Sequence, residues 1–137
     1  MYSRIVVPVD LAHPDILAKA LDTATDLARH YGAALTYVSV TAETPTSVAH
    51  NPREFGEKLA EFARARGEAD GLTIDAVAYT ATDPTIDIDA ILLRAAEEAR
   101  ADLVVIASHK PGLAEYFWGS HGGRLAGHAT ISVFVVR

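Results

Sequence analysis

Cysteine is absent from the 137 residues, which rules out disulfides, thiolate zinc sites and protein-thiol redox chemistry. Basic residues are also scarce. Twelve Lys and Arg stand against eighteen Asp and Glu, a formal charge of −6, and a surface of that sign repels nucleic-acid phosphates. No nucleic-acid partner is expected. No apolar run approaches the roughly 20 residues that span a bilayer, so membrane insertion is not expected either. Met1-Tyr2-Ser3-Arg4 runs straight into a short apolar segment, without the apolar core and small-residue cleavage site of a secretory leader. The reading from these absences is a cytoplasmic protein.

What is present is apolar material: half of the residues are hydrophobic, enough for one substantial core, and residues 1–137 read as a single domain without linker or low-complexity segment. Ile5–Val9 is a β-branched run ended by Asp10. Ile16, Leu17, Ala20, Leu21, Ala24, Leu27, Ala28 and Tyr31 recur at helical spacing, with Gly32 as a stop. Leu35–Val40 reads as a second strand and Thr41–Pro52 as a long loop. Phe55, Leu59, Phe62, Ala63 and Arg66 mark a second helix broken at Gly67 to Gly71, before a third strand over about Leu72–Thr80. A third helix opens at Asp83-Pro84, or is capped by Asp87, and buries Ile88, Ile91, Leu92, Ala95 and Ala99.

Asp102 precedes Leu103–Ala107, whose near-continuous apolar character predicts a strand covered on both faces. A loop from Ser108 to Trp118, a short helix over about Gly119–Ala126, Gly127 and a last strand Ile131–Val136 complete the chain. Five strands alternating with helices predict one doubly wound parallel α/β sheet. In such sheets ligands sit beyond the carboxyl ends of the strands, where the crossovers part.

One group of residues there suits a phosphate. Ala107-Ser108-His109-Lys110 follows the apolar fourth strand, and Gly119-Ser120 opens a helix nine residues past Lys110. Glycine lets a ligand approach the backbone, serine adds a donor, and the free N–H groups of a helix start favour negative charge. Lys110 adds a cation. The plainer reading of Gly119-Ser120 is a turn and N-cap, and spacing alone leaves both open.

Taken in order, these pieces resemble the universal stress protein family over essentially the whole chain. The resemblance rests on Ile5-Val6-Val7-Pro8-Val9-Asp10, on Ala101-Asp102-Leu103-Val104-Val105, on Ser108-His109, on Gly119-Ser120, on His128-Ala129 and on the final Ile131–Arg137. It implies a five-stranded sheet of order 3-2-1-4-5, ATP or another adenine nucleotide as ligand, with or without magnesium, and homodimers paired through Ile131–Val136. It also implies a regulatory or stress-response module rather than a fast enzyme. Carried over residue by residue, it places Asp10 near the ribose and Val40 near the adenine edge. Ser108, His109, Lys110, Gly119 and Ser120 fall toward the phosphates, with Pro8, Val9, Ala107 and His121 beside them. The family's ATP pattern has glycines where this chain has Ala107 and Lys110, and its interval to the Gly-Ser pair is one residue longer. Ser108-His109-Lys110-Pro111 resembles the shorter-loop branch of the family.

Other constellations compete. Loss of both glycines fits an interaction module of the same fold without nucleotide binding, and slow ATP hydrolysis is a further alternative. Ser108, His109 and Asp10 supply the residue types of a triad, but adjacent Ser-His side chains rarely form a nucleophile–base pair, and G-x-S-x-G and P-loop patterns are absent. His121 and His128 share a helix face without a third ligand, so a metal is not expected. Tyr116-Phe117-Trp118 reads as a lid, a partner surface or a core anchor. His13, His30 and His50 fall into no usable pattern.

Overall fold

Two strands are closed to water on both faces, and this dictates how the sheet is covered: Ile5 to Pro8 and all of Leu103 to Ala107 are buried. The computed structural model describes residues 1–108, 127 and 130–137, with the side chains of all of these except 84–87. Its elements are β1 (Arg4–Pro8), α1 (Pro14–Tyr31), β2 (Ala34–Ala42), α2 (Pro52–Asp70), β3 (Ile74–Ala81), α3 (Pro84–Glu98), β4 (Leu103–Ala107) and β5 (Ser132–Val136). The strands form one parallel sheet of order β3-β2-β1-β4-β5, the expected doubly wound α/β architecture. The loop after Ser108 and the short helix expected over Gly119–Ala126 lie outside the described residues.

Side chains alternate across the sheet, so each strand serves two cores. Ile5, Val7 and Val9 join Leu35, Tyr37, Leu103, Val105 and Val136 against the apolar faces of α1 and α2. Val6, Val38, Val104 and Ile106 pack on the opposite side, against Ile88, Leu92, Ala95 and Ala96 of α3. Right-handed crossovers require this split, since the chain steps outward from β1 to β3 and then returns across the sheet to β4. The direction therefore reverses between β1 and β4. None of the described helices is long and apolar enough to cross a membrane.

Helix ends follow local chemistry. Pro14 sits in the first turn of α1, and Gly32 closes it in the left-handed region at φ 63°, where a side chain would be strained. At the start of α2 the Asn51 side chain accepts the Glu54 N–H at 2.8 Å, while Glu54 accepts the His50 N–H at 3.1 Å. The end of α2 differs from the sequence reading. The helix continues through Gly67 to Asp70 and stops at Gly71, which holds the left-handed conformation at φ 70°. Gly67 is there for space: a Cβ on it would lie 2.4 Å from the Leu72 carbonyl oxygen.

Polar links register the layers. Asp102 accepts from Ser3 N at 2.9 Å, Ser3 Oγ at 2.8 Å and Arg4 N at 3.0 Å, tying the entry of β4 to that of β1. Burial opposes its charge, but these hydrogen bonds prevail and hold the carboxyl below its usual range. On the α1–α2 side, Arg66 pairs with Asp22 and with Asp70, the latter at 2.9 Å.

The Tyr37 ring lies beneath that network, fully buried. Burial pushes its phenol up to about 12, with the nearby Arg66 pulling the other way. Tyr79 is likewise raised to about 12, by burial and by donating to Glu98. A 295 nm absorbance titration should therefore show Tyr37 and Tyr79 ionising late. Because the folded value exceeds the unfolded one, the Tyr37 contribution to stability is complete below about pH 10 and is lost as the pH rises through about 12. A titration in which all tyrosines ionise together near 10 in the folded protein would contradict this.

Candidate site at the strand tips

The winding reverses between β1 and β4, and sheets of this kind hold their ligands beyond the carboxyl ends of the strands at such a point. Pairing of β1 with β4 covers Ile5↔Leu103 and Val6↔Val104, whereas β1 pairs with β2 as far as Pro8↔Val38. Past that pair β2 continues with β3 to Ala42↔Ala81. The four residues Ser39 to Ala42 thus carry β2 roughly 13 Å further, at about 3.3 Å per residue. The result is a wall on one side of the β1 tip. This strand end lies two residues past the expected one at Val40.

Pro8 and Val9 lie at the tip of β1. Both are buried, and the Val9 backbone is engaged on both sides: its N–H donates to the Val38 carbonyl at 2.8 Å, and its carbonyl accepts from the buried Ser39 hydroxyl. Val40 is half-buried and packs toward the α3 side of the sheet. The Ala107 methyl belongs to the core beneath α1, so it is occupied in packing. Ser108 is half-buried, and its N–H donates to the Val136 carbonyl at 2.7 Å.

Asp10 is the polar group that the end of β1 presents. Its carboxylate is 13% exposed, accepts the Ala12 N–H at 3.0 Å through Oδ1, and lies 3.1 Å from His13 Nδ1 through Oδ2. The structure thus brings Pro8, Val9, Asp10, Ala107 and Ser108 to neighbouring strand ends, with Val40 on the wall. His109, Lys110, Gly119, Ser120 and His121 lie outside the described residues, as do Tyr116, Phe117, Trp118 and His128.

His13 is the residue that sequence reasoning passes over. The one trace in the sequence is Asp10 three residues before a histidine that itself precedes Pro14 at a helix start, a spacing at which a cap residue can reach the strand end but which does not by itself turn the ring there.

A separate cleft of about 450 Å3 lies between α3 and β3, lined in part by Arg4, Asp75, Tyr79 and Glu98. At its side Tyr79 donates to Glu98 at 2.5 Å, and the Arg94 guanidinium stands 5.1 Å from the centre of the Tyr79 ring.

Comparison with known proteins gives a consistent result. The model of the universal stress protein family matches residues 1–137. Universal stress protein G of Salmonella typhimurium is 27% identical over 146 residues, with all of both chains covered. A solved protein of the same family from Burkholderia pseudomallei is similar at a TM-score of 0.70 and 26% identity, covering 98% of this chain and 96% of its own. A universal stress protein solved in complex with cAMP superposes at a TM-score of 0.70 with 21% identity, over 99% and 97% of the two chains.

Proposed function

The chain belongs to the universal stress protein family, and from that premise we propose that it is a stress-response or regulatory module that binds an adenine nucleotide beyond the tips of β1 and β4. The observation that carries this reading is Asp10: a partly accessible carboxylate, fixed by its own loop, at the point where the winding reverses. A carboxylate so placed accepts hydrogen bonds from sugar hydroxyls. Structures of the same fold have been solved with cAMP, dAMP and AMP, which supports adenine as the base. In this reading Ser108, His109, Lys110, Gly119 and Ser120 face the phosphates, with Val40 near the base, and catalysis is at most slow ATP hydrolysis.

We place the protein in the cytoplasm as a homodimer joined through β5. That strand is a sheet edge on which Phe134 and Val135 are exposed, and an open apolar edge favours pairing with a second chain.

Calorimetric titration with ATP, ADP, AMP and GMP, each with and without magnesium, tests the nucleotide reading. Micromolar binding confined to the adenine series is the expected result. Absence of heat with all three adenine nucleotides would overturn it and favour an interaction module of the same fold.

A further inference from the structure

His13 occupies the cap position of α1, yet its side chain makes no capping hydrogen bond. The ring turns back instead, placing Nδ1 3.1 Å from Asp10 Oδ2, and its backbone N–H donates to the Asp10 carbonyl at 3.2 Å. A carboxylate offers only lone pairs, so Nδ1 carries the hydrogen of this bond. The other oxygen, Oδ1, takes the Ala12 N–H at 3.0 Å. Each oxygen of Asp10 is therefore held by one donor from its own loop, which fixes the plane of the group. With about four acceptor positions on a carboxylate, both oxygens keep capacity beyond these two bonds.

A carboxylate held in one plane is a two-pronged acceptor. A vicinal diol engages both prongs, whereas a single hydroxyl engages one. If the plane were free to rotate about χ2, the second prong would be presented only part of the time, and the advantage of the diol would shrink.

Building on the nucleotide reading above, we infer that His13 is a positioning residue that holds the Asp10 carboxylate ready for both ribose hydroxyls. The site then selects ribonucleotides over 2′-deoxyribonucleotides. His13 acts through Asp10 and need not touch the ligand.

The test is titration of the wild type, His13→Ala and His13→Gln with AMP and with 2′-deoxy-AMP. The wild type should prefer AMP by about tenfold, the worth of one hydrogen bond to a charged group. His13→Ala should cut that preference to about threefold or less, mainly by weakening AMP. His13→Gln, whose amide N–H can donate to the same oxygen, should restore most of it. A purely structural role would weaken both nucleotides alike and leave the ratio unchanged, and that result would overturn the inference. A wild type that binds AMP without preferring it to the deoxy form would overturn the inference while leaving the nucleotide reading intact. If the wild type binds neither nucleotide, the nucleotide reading fails and the inference fails with it.

Discussion

Asp10→Ala should weaken AMP binding by about 100-fold, the product of two hydrogen bonds from sugar hydroxyls to a charged acceptor. The fold should survive, because the contacts of Asp10 stay within its own loop and the α1 start, at Ala12 and His13, while the core positions Val7, Val9 and Leu17 around it are untouched. Asp10→Asn removes the charge and sets its amide NH2 against one of the two loop donors, the Ala12 N–H or the His13 Nδ1–H. It keeps one accepting oxygen and turns the other position into a donor, so about tenfold of the affinity should be lost. Calorimetry measures the binding, and a thermal melt by circular dichroism checks that the variants are folded. Binding by folded Asp10→Ala within threefold of wild type would remove Asp10 from the site.

Gly67→Ala should lower the unfolding free energy by about 2 kcal/mol, although alanine is the better helix former by about 1 kcal/mol. The added Cβ would lie 2.4 Å from the Leu72 carbonyl oxygen, a backbone atom that cannot rotate aside. Leu72 N–H also donates to the Gly67 carbonyl at 2.9 Å, and Gly71 between them is committed to its left-handed turn. Relief of the clash would therefore unpick the end of α2. Gly56 in the same helix is the control, since a Cβ there meets only the Ala78 methyl, at 3.9 Å. Gly56→Ala should be neutral or stabilising by up to about 1 kcal/mol. Urea denaturation of the two variants checks the contrast, and equal stabilities would refute the steric account.

That pair of glycines also shows where sequence reasoning reaches and where it stops. Leu103–Ala107 is legible as a strand because an unbroken apolar run has few other uses, and the observed β4 has the same bounds. The end of α1 is legible because Gly32 follows the last residue of a clear apolar period. Gly67 reads as a breaker because composition cannot tell a glycine that ends a helix from one that admits a passing carbonyl. Strand β2 outlasts its apolar run by two residues, to Ala42, because β3 pairs with it as far as Ala81, and a partner strand leaves no local trace.

The site divides in the same way. Asp10 is visible as the polar end of an apolar strand. The bond from His13 depends on how the chain turns between Asp10 and Pro14, which the one-dimensional pattern does not encode. Pro8 and Val9 come to the candidate site through the family resemblance, and the structure shows both buried at the end of β1.

The sheet itself consists of two unequal leaves, β3-β2-β1 and β4-β5, stitched by the two rungs Ile5↔Leu103 and Val6↔Val104 and, just before them, by the clasp of Asp102 on Ser3 and Arg4. The seam is fastened at the foot and open at the head. A molecule held at once by Asp10 on one leaf and by the residues following β4 on the other would act as a second clasp, so occupancy would be felt as cohesion between the leaves, transmitted along β4 to the outer strand β5.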